Sequence, residues 1–180
     1  LLLPKDSPLR RTVTIMNPLG EDFSIMRTTP LHGLLTSLST NYNRRNKNVK
    51  LYEMANIYLP KDLPLTELSD ERMQFTLGMY GEGDFFTMKG VVEEFFDKIG
   101  MNEKVHYEPN CDRPFLHPGR KADIVYHKKI VGYLGELHPE CADNYKIGEK
   151  VYVAVLDMPC ITPWATFDRK YTGIAKHPAV

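Results

Sequence analysis

Residues 115–126 (FLHPGRKADIVY) and 130–139 (IVGYLGELHP) decide the fold of this 180-residue chain. Both segments are rich in apolar and β-branched residues, and the polar triplet His127-Lys128-Lys129 separates them, which is typical of a β-hairpin. The glycines mark turns or close approaches of the backbone. Pro139 suits the first position of a helix. The sequence therefore predicts a two-stranded hairpin with a turn before it and a short helix after it.

Two His-Pro pairs, His117-Pro118 and His138-Pro139, lie within these segments. Histidine titrates near neutral pH and binds metals, so a catalytic role is one interpretation. Proline, however, fixes the backbone at the ends of a strand, and a histidine before it can simply hydrogen-bond there. We favour the structural interpretation for both pairs.

The same region offers a candidate zinc set of two cysteines and two histidines, namely Cys111, His117, His138 and Cys141. Its spacing is unlike that of structural zinc sites, because the tight C-x2-C half is absent. The spacing argues against zinc. A hydrolase or metal enzyme that uses the two histidines and a cysteine is kept as an alternative.

The composition is that of an ordinary soluble globular domain, with 42% hydrophobic and 26% charged residues. Lys plus Arg equals Asp plus Glu, which weighs against a dedicated nucleic-acid or membrane-surface module. The three widely spaced cysteines are expected to be reduced, so we expect a cytoplasmic protein. Because the chain lacks an initiator methionine and stops abruptly, we expect one domain cut from a longer polypeptide.

The order of predicted elements gives the fold class. We expect strands over residues 11–16, 49–59, 73–79, 105–108 and 151–156 besides the hairpin, and helices over residues 30–44, 87–99 and 139–145. Residues 60–70 are expected to form a loop, and residues 161–180 an irregular tail. Neighbouring strands outnumber clean βαβ units, which predicts an α+β fold: a mainly antiparallel β-sheet flanked by helices, carried on one face.

The two longer helices are predicted from apolar stripes at three- and four-residue spacing. The first begins after the N-cap Thr29 and ends in a basic run over residues 44–50, which we interpret as a solvated helix end rather than an RNA contact. The second ends at Gly100. The stripe residues are Leu31, Leu34, Leu35, Leu38 and Tyr42 in the first helix and Val91, Val92, Phe95, Phe96 and Ile99 in the second.

Short motifs along nearly the whole chain resemble the catalytic-like core of the phenylalanine–tRNA ligase β-subunit family. The most specific are His117-Pro118-Gly119-Arg120 and the segment at residues 134–139 (LGELHP). The other matching motifs are Asn17-Pro18-Leu19, residues 24–28 (SIMRT), Gly33-Leu34-Leu35, Asn41, Asn43-Arg44, residues 50–53 (KLYE), Phe85-Phe86, Lys89-Gly90 and residues 132–133. Their order and spacing make a chance match an unsatisfactory explanation.

The resemblance implies a class II aminoacyl-tRNA synthetase catalytic-like fold, with residues 1–180 forming a single degenerate copy of that domain. Upstream modules and a C-terminal anticodon-binding domain would lie outside the chain. The family implies an α2β2 enzyme that attaches phenylalanine to its tRNA with ATP and magnesium. In it the α subunit carries the active site, and tRNA is bound mostly through other modules.

The charges needed for catalysis are missing from this copy. Class II chemistry needs fixed cations, usually arginine, beside the α-phosphate of ATP. In active relatives the strand corresponding to residues 49–59 ends in an arginine, whereas this chain has Leu59-Pro60-Lys61 there. No arginine lies between Arg120 and Arg169, and residues 151–156 contain no glycine. We therefore predict no catalytic, cofactor-binding or metal-binding residue in this piece, and packing against the α subunit as its role.

The motif residues are accordingly assigned structural roles, with Arg27 and Arg120 expected in internal ion pairs or bonds to carbonyls. Phe85, Phe86 and Trp164 are candidates for the subunit interface or for the core. A stand-alone domain that binds a small molecule in a relict amino-acid pocket is the alternative function. The structural residues are Asn17, Pro18, Arg27, His117, Pro118, Gly119, Arg120, Gly135, Glu136, His138 and Pro139.

Overall fold

A computed structural model of the protein describes residues 1–101, 104–109 and 111–167. Its strands are β1 (Val49–Leu59), β2 (Asp70–Tyr80), β3 (Val105–Glu108), β4 (Leu116–Tyr126), β5 (Lys129–Leu137) and β6 (Val151–Asp157). Its α-helices are α1 (Leu31–Asn43), α2 (Phe85–Lys98), α3 (Pro139–Asn144) and α4 (Met158–Ile161). The strands form one antiparallel sheet in the order β1-β2-β6-β5-β4-β3, which confirms the predicted fold class.

The prediction that the helices share one face is wrong. Helices α1 and α3 pack on the side of the sheet that carries Val151, Val153 and Val155, here called the α1 face. Helix α2 packs on the opposite side, the α2 face, against Ala154 and Leu156. Strand β6 lies between two other strands and is buried on both sides from Val151 to Leu156, which explains its near-continuous apolar sequence.

The predicted hairpin is present as β4 and β5. His127 and Lys128 form its turn with φ angles of 46° and 63°, and two positive φ angles are what a two-residue type I′ turn needs. A register shift between Ile124 and Val125 interrupts the ladder of the two strands. The predicted helix after the hairpin is also present, with Pro139 as its first residue.

Helix α2 begins two residues earlier than the stripe predicts. Asp84 caps it, because the Thr87 backbone amide donates to Asp84 Oδ1 (2.8 Å) and the Asp84 amide bonds Thr87 Oγ1 (3.2 Å). Its buried side chains are Met88, Val92 and Phe96, whereas Val91 is 44% exposed. The prediction that Val91 faces the core is therefore wrong, since Met88 takes the place one turn earlier.

Four further predictions of elements need correction. Residues 11–16 make only one isolated bridge, Thr14 to Ile25, because the segment has no neighbouring sheet strand to extend it. Strand β2 begins at Asp70, and its last five residues are buried on both faces instead of one. Helix α1 begins at Leu31, after Pro30. Residues 161–164, the start of the predicted irregular tail, are helical, and residues 168–180 lie outside the described part.

No helix of the described residues combines the length and the hydropathy that a membrane-spanning segment requires.

Candidate functional site

A cavity of about 190 Å³ opens on the α1 face, where the ends of β1, β2, β6 and β5 meet. Strand β1 contributes Ile57 and Leu59, and β5 contributes Tyr133. Gln74 on β2 and Asp157 on β6 are register partners and add polar groups. The cavity thus combines aliphatic walls with a few polar side chains, the general composition of a small-molecule site.

Leu59 places an apolar side chain in the wall where the resemblance puts an arginine in active relatives. Arg113, just before β4, is the one arginine among the described residues that line the cavity. Its guanidinium carbon lies 4.1 Å from the centre of the Tyr133 ring, and its Nη2 lies 3.6 Å from Asp123 Oδ1. The ring and the carboxylate hold the guanidinium against the sheet.

Arg72 and Asp157 form an ion pair beside the cavity. The Arg72 guanidinium donates to Asp157 Oδ2, and the Cys160 thiol donates to the same oxygen at 3.2 Å. The hydrogen bond to Asp157 raises the pKa of Arg72 above its ordinary value although burial opposes the shift. The charge of Arg72 is therefore balanced within the protein.

The two motif arginines bind other parts of the chain. Arg27 Nε donates to the Asn56 carbonyl (2.7 Å) and its Nη1 donates to Glu53 Oε1 (2.8 Å), which ties the segment before α1 to β1. Arg120 donates to both carboxylate oxygens of Glu136, at 2.5 and 2.9 Å. Burial would raise the pKa of Glu136, but the hydrogen bonds and charge of Arg120 outweigh it and lower that pKa.

Both motif histidines accept hydrogen bonds from nearby backbone. The Gly119 amide donates to His117 Nδ1 (3.1 Å), and the Glu140 amide donates to His138 Nδ1 (3.3 Å), so His138 caps α3. Burial is the main reason that the pKa of the Cys111 thiol rises to about 12, which disfavours the thiolate that attacks substrates or binds metal. Among the described residues no cluster of three or more His, Cys, Asp or Glu side chains could hold a metal ion.

The cavity on the α1 face and the motif residues are different places. Of the residues described in its wall, none belongs to the eleven motif residues. A second cavity, of about 280 Å³, brings together His117, Arg120, Glu136 and Pro139. Asn17 and Pro18 lie exposed in the loop before α1, whereas Gly135 is buried, and a Cβ there would come within 2.9 Å of the Arg120 carbonyl oxygen.

Sequence reasoning missed the two charged residues described in the cavity wall, Arg113 and Asp157, and the ion-pair partner of Asp157, Arg72. Arg113 lies between Asp112 and Pro114 in an irregular stretch, and no periodicity or motif distinguishes it. Only the tertiary structure shows that Arg113 lies over the Tyr133 ring.

Comparison with known proteins identifies the family. The family model described as "Phenylalanyl tRNA synthetase beta chain CLM domain" matches residues 1–158. The chain belongs to this family. The phenylalanine–tRNA ligase β subunits of Clostridium acetobutylicum and Clostridium tetani are each 42% identical to it over 180 residues. The chain spans 22% of the length of these relatives, as a CLM domain would in a larger subunit.

Solved structures show the same fold at low sequence identity. The pyrrolysyl-tRNA synthetase of Desulfitobacterium hafniense matches the CLM domain with a TM-score of 0.67 and 12% identity, covering 89% of this chain and 56% of the synthetase chain. A structure of PylSc, a pyrrolysyl-tRNA synthetase of the same organism, gives a TM-score of 0.58 and 11% identity, covering 86% and 54%. The CLM domain therefore has the class II synthetase catalytic-like fold.

Proposed function

We propose that this chain is a non-catalytic structural module of the β subunit of phenylalanine–tRNA ligase. It packs against the α catalytic subunit of an α2β2 enzyme, which charges tRNA(Phe) with phenylalanine in the cytoplasm using ATP and magnesium. Residues 1–180 act as one degenerate class II domain, and tRNA is bound mostly by other modules. The observation that carries the proposal is the apolar Leu59 in the wall of the cavity on the α1 face.

The residues that line the cavity on the α1 face do not fit ATP. A triphosphate needs several unpaired cations or a metal held by carboxylates. Leu59 supplies no charge, and Arg72 is already bound to Asp157. Strand β6 supplies neither an arginine nor a glycine for the nucleotide. We therefore assign ATP and magnesium to the whole enzyme and derive no step through them here.

Packing against a partner is supported by an apolar surface on the α2 face at the sheet edge, here called the outer apolar face. It consists of Tyr52, Met54 and Met73, of which Tyr52 and Met54 are 73% and 57% exposed. It continues inward through Phe75, whose ring centre lies 6.0 Å from that of Tyr52. Contiguous exposed apolar surface usually marks an interaction site. Since the relatives are β subunits by name, we assign this surface to the α subunit.

The test is association with a separately produced α subunit, followed by light scattering after size exclusion. We expect a defined complex, and we expect the double variant Tyr52→Lys/Met54→Lys to bind at least about tenfold more weakly, because lysine disfavours an apolar interface. Leu68→Lys, at a 91% exposed site in the loop before β2, is the control and should bind normally. Equal binding by the double variant would contradict the assignment of the surface.

The absence of catalysis is tested on the chain alone. Titration of ATP with magnesium into the chain should give no heat of binding, because Arg113 is the single arginine described in the cavity wall and a triphosphate needs several cations. Saturable ATP binding would contradict the non-catalytic assignment without affecting the result with the α subunit.

A further inference from the structure

We propose that the cavity on the α1 face is a binding site for a small aliphatic carboxylate, held by Arg113. The inference concerns ligand binding without catalysis. It does not depend on the proposed contact with the α subunit, which involves the opposite face of the sheet.

Arg113 is fixed in position while its Nε donor is unused. Its guanidinium carbon lies 4.1 Å from the centre of the Tyr133 ring. Asp123 Oδ1 is 3.6 Å from its Nη2, which is an ion pair but longer than a hydrogen bond. Within the described residues, the buried Arg113 Nε has no hydrogen-bond partner. A guanidinium carries five N–H donors in a fork that matches a carboxylate, so a bound carboxylate would use what the protein leaves free.

Most unsatisfied buried polar atoms of the described residues lie on the α1 face of the sheet. Five buried side-chain atoms of the described residues have no hydrogen-bond partner. Four of them belong to residues that lie on the α1 face or stack on a residue of that face. Two of these residues, Arg113 and Asp157, line the cavity. Native proteins leave few such atoms unpaired, and each requires an explanation. A carboxylate in the cavity could accept a hydrogen bond from the buried Arg113 Nε, whereas the oxygens of Asp123 and Asp157 need donors that a carboxylate lacks. The four atoms are Thr76 Oγ1, Arg113 Nε, Asp123 Oδ1 and Asp157 Oδ1.

The charges favour an anion over a cation. Asp157 is the carboxylate in the wall, but Arg72 donates to it and balances its charge. Asp123 does not line the cavity among the described residues. The cationic donor that an occupant meets in the wall is therefore Arg113, which is ion-paired with Asp123 but keeps Nε without a hydrogen-bond partner. An anion with a planar oxygen pair is the partner that such a guanidinium binds most specifically.

The other residues in the cavity wall indicate the chemistry of the rest of the ligand. Ile57, Leu59, Ile130 and Val155 present aliphatic surface to the cavity. These side chains would bury a short hydrocarbon tail beside the carboxylate. The volume of about 190 Å³ lies below the range of about 300–1,000 Å³ that drug-sized ligands occupy, which limits the tail to a few carbons.

The experiment is calorimetric titration of isovalerate into the purified chain. We expect saturable one-site binding, and at least about tenfold weaker binding of isovaleramide, which has the same shape without the charge. No saturable binding of isovalerate would overturn the proposal, and so would binding of isovaleramide as tight as that of isovalerate.

Substitutions test whether isovalerate binds in this cavity. Arg113→Gln should weaken isovalerate binding at least about tenfold, and Arg113→Lys, which keeps the charge, should lose less. Arg44→Gln, at an exposed arginine at the end of α1, is the matched control. Ile130→Trp fills the mouth at a half-exposed position and should also abolish binding with Arg113 intact. Unchanged binding in Arg113→Gln and Ile130→Trp would overturn the proposal, while association with the α subunit should be unaffected in both.

Discussion

Arg120 and Glu136 join β4 and β5 through two parallel hydrogen bonds, although Glu136 is only 3% exposed and the Arg120 side chain is 43% exposed. The exposed residue therefore compensates the charge of the buried one. Removing the arginine leaves a buried carboxylate without its partner, which is far more destabilising than replacing both groups.

We predict that Arg120→Gln lowers the free energy of unfolding and that Arg120→Gln/Glu136→Gln recovers part of the loss. The reason is that the neutral amide at position 136 no longer needs a cation. Urea unfolding followed by circular dichroism measures both. A double variant that is less stable than Arg120→Gln alone would show that Glu136 has another partner that stabilises its charge.

The same pair predicts a pH dependence. Because the pKa of Glu136 is lowered in the folded protein, its contribution to stability is present above the ordinary glutamate pKa of about 4.3 and is lost as the pH falls through the lower folded pKa. The difference in stability between the wild type and Arg120→Gln should therefore shrink between pH 7 and pH 3. Urea midpoints of both proteins across this range test it, and a difference that is constant with pH would exclude the ionised pair as its cause.

Two phenylalanines of α2 form a matched pair for core packing. Phe96 is fully buried on the α2 face, whereas Phe86 is 73% exposed. Phe96→Ala should cost about 3–5 kcal/mol, because it removes apolar contact and leaves a void. Phe86→Ala should change stability by no more than about 0.5 kcal/mol. Thermal and urea unfolding compare them, and similar losses would contradict the observed burial.

The hairpin turn offers a stabilising substitution. Lys128 has a φ angle of 63°, where a side chain is strained and glycine is not. Lys128→Gly should raise the free energy of unfolding by up to about 1 kcal/mol. The neighbouring Lys129→Gly, in strand β5, should instead lower it by about 0.5–1 kcal/mol. Equal effects of the two substitutions would show that the turn conformation is not the cause.

The burial of the three aromatic interface candidates could not be predicted from the sequence. The sequence favours core positions over an interface for Phe85, Phe86 and Trp164, although an aromatic residue alone carries no information about its neighbours. In the structure Phe86 is mostly exposed and Trp164 is half-exposed, stacking against His127 and Tyr126. The outer apolar face at Tyr52 and Met54 was missed because alternating apolar residues in β1 predict a buried face.

Local patterns were sufficient for most elements. The turn triplet at residues 127–129, the apolar stripe of α1 and the unbroken apolar run of β6 each depend on neighbours within a few residues, and the sequence contains those neighbours. The segment at residues 11–16 has the composition of a strand, but it pairs through one bridge because a strand needs a partner from elsewhere in the chain.

The sequence by itself determined the α+β class, the hairpin, the starts of α1, α2 and α3 to within two residues, and the motifs that resemble those of the family. These properties follow from residue types and short-range spacing. Only the tertiary structure decided that helices cover both faces and that Arg113 lies over the Tyr133 ring at the cavity. Those arrangements depend on which distant strands become neighbours, and hydrophobic periodicity is the same whichever partner covers an apolar face.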